Sequence, residues 1–299
     1  MSNPTGNQIN RRARVVEAYS NRGVARHEDG QLAAFHFPRR LERPLPGDWI
    51  ELADNGSLEV VEERRNTFGR GDPRGRFRPV AANLDLALII IAAQPSPSPD
   101  LIHRYLAACL IREIEPVVVV NKSDLDEPDQ APFTELGGLV ELGFRVVRVQ
   151  CKPEPDVAAL RSLLSGGTSL LAGQSGVGKS SLVNALIPDY AAQTGELSRV
   201  TGKGTHTTTS ATLCALPAGG WLLDTPGVWE YGLWVMPRTE LVRGFPEFAP
   251  FSANCRFRDC SHNHEPGCAV RIAAENGELP DFRYQAWLRL LNEQVRLSR

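Results

Sequence analysis

One eight-residue segment in the middle of the chain restricts the possible folds more than any other feature. It reads Gly173-Gln174-Ser175-Gly176-Val177-Gly178-Lys179-Ser180 and matches the P-loop pattern in full. A strand-like run, 168–172, precedes it, and a helix-forming run begins at Ser181. Glycines let backbone N–H groups approach phosphate oxygens at the positive end of a helix. The segment therefore predicts a nucleotide-phosphate site in an α/β domain, with Lys179 on the β- and γ-phosphates and Ser180 on Mg²⁺.

A second motif, Asn121-Lys122-Ser123-Asp124, follows directly on the apolar run 116–120. The Asp124 carboxylate can accept hydrogen bonds from the guanine N1–H and N2 amino groups. Adenine has no such pair of donors, so a carboxylate here discriminates against ATP. Asn121 would brace the loop and contact N7, and the Lys122 stem would cover the ring. Beside a P-loop, the motif favours GTP or GDP as the ligand, with a P-loop ATPase or kinase as the alternative.

A third motif, Asp224-Thr225-Pro226-Gly227, follows the strand-like run 221–223. We expect Asp224 to bind Mg²⁺ through water and the Gly227 amide to sense the γ-phosphate. One of the threonines 207–209 should complete the Mg²⁺ shell. Thr208 is favoured, although the sequence does not fix the register.

Position 228 is valine, where many GTPases have a glutamine that orients the attacking water. Valine cannot do this, so we expect slow intrinsic hydrolysis. His206, in the segment before the third motif, is the best substitute for positioning the water. An ordinary surface-loop histidine is the alternative.

The order of the motifs is permuted. Small GTPases usually begin with the P-loop, whereas here the base motif comes first and Asp224 comes last. Strand-like and helical runs alternate from residue 84 to 224, which predicts a parallel sheet, and the sequence from about 190 reads as a loop. Ligands lie at the carboxyl ends of parallel strands whatever the connections, so the site is preserved. The switch after Asp224 would then pull on the domain that follows.

The first 80 residues predict a small β-barrel. Short β-like runs at 14–18, 32–37, 48–52 and 58–61 are separated by turn residues. An OB-like barrel is the natural interpretation, although periodicity does not separate it from an SH3-like barrel. Between Arg64 and Arg78 lie six arginines against one acid, Asp72. The glycines there predict a mobile loop, either simply solvated or contacting nucleic-acid phosphates.

Three of the six cysteines crowd into fourteen residues near the C-terminus. Together with one histidine they supply four ligands for a closed tetrahedral Zn²⁺ site, which would be structural. The expected ligands are Cys255, Cys260, His262 and Cys268, with His264 as a spare. Reduced free cysteines are the alternative.

Composition adds little beyond these motifs. Hydrophobic residues make up 42%, charged residues 23%, and the formal net charge is −2. No apolar run has the length of a membrane span, and residues 1–10 lack the apolar stretch of a secretion signal. We expect a cytoplasmic, monomeric protein without a membrane partner.

Taken together, these segments resemble the ribosome small-subunit-dependent GTPase A family, known as RsgA or YjeQ. The resemblance runs from about residue 11 to the C-terminal helix. It includes the permuted motifs, the Cys/His cluster and the segments 79–85, 229–233 and 245–248. It implies an OB-fold, a circularly permuted GTPase domain and a zinc-binding C-terminal domain.

The resemblance also implies a role in late maturation of the small ribosomal subunit, with rRNA contact and GTP hydrolysis stimulated by that subunit. His206 matches the family's proposed catalytic histidine. Gln150-Cys151-Lys152 stands where the family has a serine-alanine-type loop behind guanine O6.

We therefore expect an α/β protein of three domains: an OB-fold RNA-binding domain (1–80), a permuted GTPase domain (81–232) and a helical zinc domain (233–299). A permuted GTPase acting on the large subunit is the nearest alternative. A non-enzymatic RNA-binding protein is disfavoured, because Lys179, Ser180 and Asp224 are all present.

Overall fold

The computed structural model describes residues 11–201, 211–225 and 232–298. Its N-terminal part is a five-stranded antiparallel sheet in the order β3-β2-β1-β4-β5. The strands are β1 (Arg12–Ala18), β2 (Arg22–His27), β3 (Leu32–His36), β4 (Trp49–Leu52) and β5 (Leu58–Val61). A parallel bridge between His36 and Ser57 brings the two edge strands together, so the sheet closes on a small apolar core. This arrangement confirms the OB-like barrel. The predicted runs omitted β2, which carries few apolar residues.

The arginine-rich segment is not the mobile loop that its glycines predict. It forms a β-hairpin of β6 (Thr67–Gly71) and β7 (Phe77–Ala82). Asp72 organises the turn, because its carboxylate accepts hydrogen bonds from the backbone N–H groups of Arg74 and Arg76. The same carboxylate pairs with the guanidinium groups of Arg76 and Arg78, each at 2.9 Å. A single acid therefore orders the basic segment.

The central domain is a six-stranded sheet in the order β10-β9-β8-β11-β13-β12. Only β12 runs antiparallel to its neighbour. The strands are β8 (Leu86–Ala92), β9 (Glu115–Asn121), β10 (Arg145–Val149), β11 (Thr168–Ala172), β12 (Thr212–Ala215) and β13 (Trp221–Asp224). The helices are α1 (Pro99–Ile111), α2 (Leu136–Glu141), α3 (Ala158–Leu164), α4 (Lys179–Leu186) and α5 (Tyr190–Thr201).

Both faces of this sheet are covered. Every residue of β8 is buried, and successive side chains enter two different hydrophobic clusters. Ile89 and Ile91 join the cluster that contains α1, whereas Leu88 and Ile90 join the one that contains α3 and α4. The continuous apolar run is thus a central parallel strand, as predicted.

Helix α5 differs from the expectation of a loop from about 190. Leu197 is buried, and contacts run from the helix to β2 and β3 of the barrel. Polar residues dominate the helix, so its sequence gives a weak apolar period. Packing against the barrel stabilises it instead.

The C-terminal part is helical and packs against α1. It contains α6 (Arg238–Leu241), α7 (Ala249–Ser252), α8 (Ala269–Glu275) and α9 (Asp281–Leu297), with short 3-10 turns at 242–244 and 246–248. Its aromatic centre is Trp287, which meets Phe245 and Phe248 edge-on at centroid distances of 5.3 and 5.7 Å. These rings join the same hydrophobic cluster as α1. The domain boundaries near residues 80 and 232 stay predictions.

Candidate nucleotide site and metal centre

The sequence motifs meet at one edge of the central sheet. Strands β8, β9, β11 and β13 are mutually parallel, so their carboxyl ends lie side by side. These ends carry the loop after Ala92, the Asn121 motif, the P-loop and Asp224. The topology alone therefore places the three motifs together.

The P-loop has the backbone that its glycines require. Gly173, Gly176 and Gly178 have φ angles of 143°, 76° and 95°, values that other residues rarely adopt. A Cβ on Gly173 would lie 2.4 Å from the Ile90 carbonyl oxygen. Val177 is fully buried in the core, so only its backbone faces the loop. The loop is thus a close-packed turn that leads from β11 into α4.

Lys179 is held inside this loop. Its ammonium donates to the carbonyl oxygens of Gly173 (2.8 Å) and Gln174 (2.7 Å). Burial lowers the pKa of Lys179, and the nearby charge of Asp224 opposes that shift. The ammonium of Lys179 is thus close enough to Asp224 for the two charges to interact. Ser180 is exposed in the first turn of α4.

The base motif is bonded directly to the P-loop. The Asn121 side-chain amide, which is 1% exposed, donates to the Val177 carbonyl at 2.8 Å. The Lys122 ammonium donates to the carbonyls of Gly176 (2.9 Å) and Gln94 (2.6 Å). Asp124, at the end of this motif, is exposed and open to a ligand. A base loop and a phosphate loop so joined can hold the two ends of one nucleotide.

Cys151 belongs to the same corner of the site. Its thiol donates to the side-chain oxygen of Asn121, with an S···O distance of 3.4 Å. The Gln150-Cys151-Lys152 segment therefore lies beside the base motif, where the resemblance places a loop behind guanine O6.

Asp224, at the end of β13, is anchored beside the P-loop strand. The next residue, Thr225, donates its hydroxyl to the Leu171 carbonyl at 2.8 Å. One carboxylate oxygen of Asp224 accepts the hydroxyl of Tyr190 at 2.8 Å. Carboxylate and hydroxyl oxygens such as those of Asp224 and Ser180 are ligands that suit Mg²⁺. Gly227, His206 and Thr208 lie outside the described residues.

Two contacts of the site were missed by sequence reasoning. The Gln174 amide donates to the carbonyls of Pro95 (3.1 Å) and Ser96 (3.0 Å), which fixes the P-loop against the loop after β8. Tyr190 meets Asp224 as described above. Pro188-Asp189 is a helix-start signal that could have predicted α5. No local pattern predicts that Tyr190, the first residue of this helix, contacts Asp224.

The four predicted metal ligands form one cluster. The ligand atoms of Cys255, Cys260, His262 and Cys268 all lie within 4.8 Å of one another. The Nδ1 atom of His262 is 3.6 Å from the Cys255 sulfur and 3.7 Å from the Cys268 sulfur. His264 is not part of the cluster. The structure thus brings the four predicted ligands together as a Cys₃His cluster that could hold a metal ion.

The surroundings of this cluster suit a bound cation. Burial raises the pKa of Cys260 and of Cys268, so without a metal these thiols stay protonated. Cys268 also caps α8, because its sulfur accepts the Arg271 N–H at 3.4 Å. The buried Trp287 donates its indole N–H to the Ser261 carbonyl at 3.1 Å, which ties α9 to the loop that carries the ligands. Three thiolates and an imidazole at this spacing fit a structural divalent ion.

Comparison with known proteins identifies the family. The model of the RsgA GTPase family matches residues 61–234, more than half of the chain. The chain belongs to the RsgA GTPase family. It is thus a GTPase, and its motifs have the family's permuted order.

Relatives of the RsgA family match along most of the chain. The small ribosomal subunit biogenesis GTPase RsgA of Chromohalobacter salexigens is 42% identical over 89% of this chain and 80% of its own length. A protein of the same name from Histophilus somni (strain 2336) is 38% identical over 93% of this chain and 82% of its own length.

Solved structures of the family have the same fold. YjeQ from Thermotoga maritima superposes with a TM-score of 0.76 at 30% identity, covering 95% of this chain and 98% of that one. YloQ, a circularly permuted GTPase, gives a TM-score of 0.74 at 26% identity, covering 99% and 98%. None of the described helices has the length and hydropathy that a bilayer span requires.

Proposed function

We propose that this chain is a GTP-hydrolysing maturation factor of the small ribosomal subunit, acting late in assembly, in the cytoplasm and as a monomer. The observation that carries the proposal is the 42% identity, over 89% of the chain, to a small ribosomal subunit biogenesis GTPase. The joined base and phosphate loops support guanine nucleotide as the substrate.

The proposed nucleotide contacts follow the geometry of the sheet edge. Asp124 reads the guanine edge, Asn121 braces the loop, and the Lys122 stem covers the ring. Lys179 leaves its two carbonyl partners to contact the β- and γ-phosphates. The phosphates are cradled by backbone N–H groups of the P-loop and the start of α4, namely Gly173, Ser175, Gly176, Val177, Gly178, Ser180 and Ser181.

Magnesium is the proposed metal of the nucleotide site, where it neutralises charge that develops on the phosphates. Ser180, Asp224 and Thr208 would hold it, and the Gly227 amide would sense the γ-phosphate. His206 would position the attacking water, since position 228 is valine. The contacts of Thr208, Gly227 and His206 are proposed from the sequence and the family resemblance.

Zinc is the proposed ion of the Cys₃His site. Thiolate and imidazole ligands favour it, and four protein ligands leave no open position for a substrate. The site therefore stabilises the loop between α7 and α8 and has no catalytic role.

The arginine-rich hairpin is the proposed contact to rRNA. Arg70, Arg74, Arg76 and Arg78 are all exposed, and Asp72 is the single acid among them. Asp72 pairs with two of them, so Arg70 and Arg74 have no acidic partner in the described part of the chain. Exposed guanidinium groups on an ordered hairpin suit the phosphate backbone of RNA.

GTP turnover with purified small subunits, with large subunits as the control, tests this proposal. We expect slow turnover alone and a large stimulation by small subunits only. The His206→Ala variant should keep its GTP affinity and lose the stimulation. Stimulation by large subunits would support the alternative partner, and equal turnover under all conditions would contradict the proposal.

A further inference from the structure

Tyr190 is the first residue of α5, and its phenol reaches the candidate magnesium site. Its hydroxyl donates to one carboxylate oxygen of Asp224 at 2.8 Å, across 34 positions of sequence. The ring is half-buried and packs against the cluster that contains α3 and α4. The contact is therefore a long-range tertiary contact, and the structure holds the ring in place.

The helix that carries Tyr190 is also bonded to β12, the strand that pairs with the Asp224 strand. Gln193, one turn further along α5, donates to the Ala215 carbonyl and accepts the Ala215 N–H, both at 3.1 Å. Ala215 lies in β12, the edge strand that pairs with β13, and Thr212 of β12 stands opposite Asp224. The phenol and the carboxylate are thus held by one rigid unit of helix and strands.

The phenol keeps its proton under working conditions. A tyrosine hydroxyl loses its proton only at about pH 10, so at neutral pH it is a hydrogen-bond donor. The hydroxyl is therefore a permanent donor to the carboxylate. A carboxylate fixed through one oxygen has a restricted orientation, and its second oxygen is left for another donor.

We propose that Tyr190 is a positioning residue for magnesium, because its hydroxyl fixes the Asp224 carboxylate in the orientation that accepts the metal's water ligands. This inference rests on the proposed function, since it concerns the same nucleotide site. Without the hydroxyl, the Asp224 carboxylate rotates among several orientations. The free-energy cost of ordering it then reduces the affinity for Mg²⁺.

The test uses the Tyr190→Phe variant, which keeps the ring and removes the hydroxyl. Binding of a fluorescent GDP analogue is measured against Mg²⁺ concentration and again in EDTA. We expect the half-saturating Mg²⁺ concentration to rise roughly two- to tenfold, the cost of ordering one side chain on binding. Affinity in EDTA should stay at the wild-type value, because phenylalanine keeps the packing of the ring and loses only the hydrogen bond to Asp224.

A matched control and a double variant separate positioning from general stabilisation. Tyr19→Phe removes a phenol of similar exposure from the barrel and should behave as wild type. In an Asp224→Ala background, adding Tyr190→Phe should cause no further change in the Mg²⁺ requirement, since the acceptor is absent.

Three outcomes would overturn the inference: an unchanged Mg²⁺ requirement in Tyr190→Phe, tighter Mg²⁺ binding in that variant, or an equal loss of affinity in EDTA and in Mg²⁺. The second would mean that the phenol competes with the metal's water. A wild-type chain that binds no guanine nucleotide at all would instead contradict the proposed function, so the two failures are distinguishable.

Discussion

At Gly178 the two loops of the nucleotide site come into contact. Its φ angle is 95°, and a Cβ there would lie 2.2 Å from the Asn121 side-chain nitrogen. That nitrogen is the donor that joins the base motif to the P-loop. The glycine is thus required both by the backbone conformation and by the space that Asn121 occupies.

Replacing Gly178 with alanine should therefore separate the two loops. We expect GDP affinity to fall by at least roughly tenfold, and stability by about 1–3 kcal/mol from backbone strain. Gly137→Ala is the control, because nothing lies within 4 Å of its added Cβ and α2 tolerates alanine. That variant should bind GDP normally and gain up to about 1 kcal/mol. Wild-type GDP affinity in Gly178→Ala would contradict this description.

The sequence predicted the residues of the nucleotide-binding motifs. It did not predict the contacts that Gln174 and Tyr190 make in the folded chain. The P-loop and Asn121 motifs need particular residue types at fixed spacing, so the sequence indicates that the two loops belong to one site. Gln174 and Tyr190 act through partners 34 or more residues away. No local pattern specifies such partners, because many polar residues would suit the same positions.

At the scale of elements, the hairpin of β6 and β7 is joined to the segment that follows the third motif. The Gly71 N–H donates to the Gly232 carbonyl at 2.9 Å, and the Val235 N–H donates to the Gly75 carbonyl at 2.7 Å. On its other side this segment contacts α9, where Gln294 bonds both Trp234 and Met236. Residues 232–236 thus link the basic hairpin to the C-terminal helices.

Removing Arg70 and Arg74, the two hairpin arginines that do not pair with Asp72, should weaken subunit binding. For Arg70→Gln with Arg74→Gln we expect roughly tenfold weaker binding to small subunits and a shallower dependence on salt. Arg145→Gln with Arg148→Gln, which removes two positive charges from β10, is the control. Equal affinities of both double variants in a sedimentation assay would argue against this surface.

Helix α1 is joined to the C-terminal helices through a buried polar contact. The His103 ring, which is fully buried, donates to Glu135 at 2.9 Å and accepts from Arg283 at 3.2 Å. A neutral imidazole has one donor and one acceptor nitrogen, so it can form both hydrogen bonds. Burial lowers the pKa of His103 below its usual 6.5; the hydrogen bond to Glu135 opposes this shift, and the charge of Arg283 adds to it.

This contact predicts a stability that depends on pH. The unfolded chain takes up a proton at His103 below about pH 6.5, while the folded chain resists it, so stability is complete above that pH and falls as pH decreases. The slope is at most about 1.4 kcal/mol per pH unit. His103→Gln retains an uncharged donor and acceptor, so its unfolding free energy should fall less between pH 6.5 and 5. Identical pH profiles for the two proteins would contradict the assignment.

At the scale of the whole molecule, a single hydrophobic cluster of the described residues includes side chains from all three parts. It contains Val16 and Val24 from the barrel, α1 from the central domain and Trp287 from α9. The permuted order makes the last strand of the central domain lead directly into the C-terminal part. We therefore expect a movement after Asp224 to affect the C-terminal part.

Removal of the metal should destabilise this whole assembly. We expect one zinc ion per purified chain, and Cys268→Ser should lose it together with on the order of a few kcal/mol of stability. His264→Ala is the control, because that side chain lies outside the cluster and should leave the zinc content unchanged. Atomic absorption and denaturant unfolding measure both quantities. A metal-free wild-type chain would contradict the assignment.

The barrel and the central sheet could be predicted from the sequence, whereas the hairpin of β6 and β7 and helix α5 could not. Periodicity located the central strands and the barrel, because burial on one or both faces leaves a regular apolar pattern. It missed the hairpin and α5, whose polar residues are ordered by Asp72 and by the barrel. Such elements depend on contacts formed only in the folded chain, so their own sequences resemble loops.

The central claim is that one guanine nucleotide spans the loops at Asn121, the P-loop and Asp224. Competition binding of GTP, xanthosine triphosphate and ATP to the wild type and to Asp124→Asn tests it most directly. An asparagine amide offers the donor that xanthine requires, so we expect GTP affinity to fall roughly a hundredfold and xanthosine triphosphate to bind in its place. Unchanged GTP affinity in the variant, or equal ATP and GTP binding by the wild type, would contradict the account.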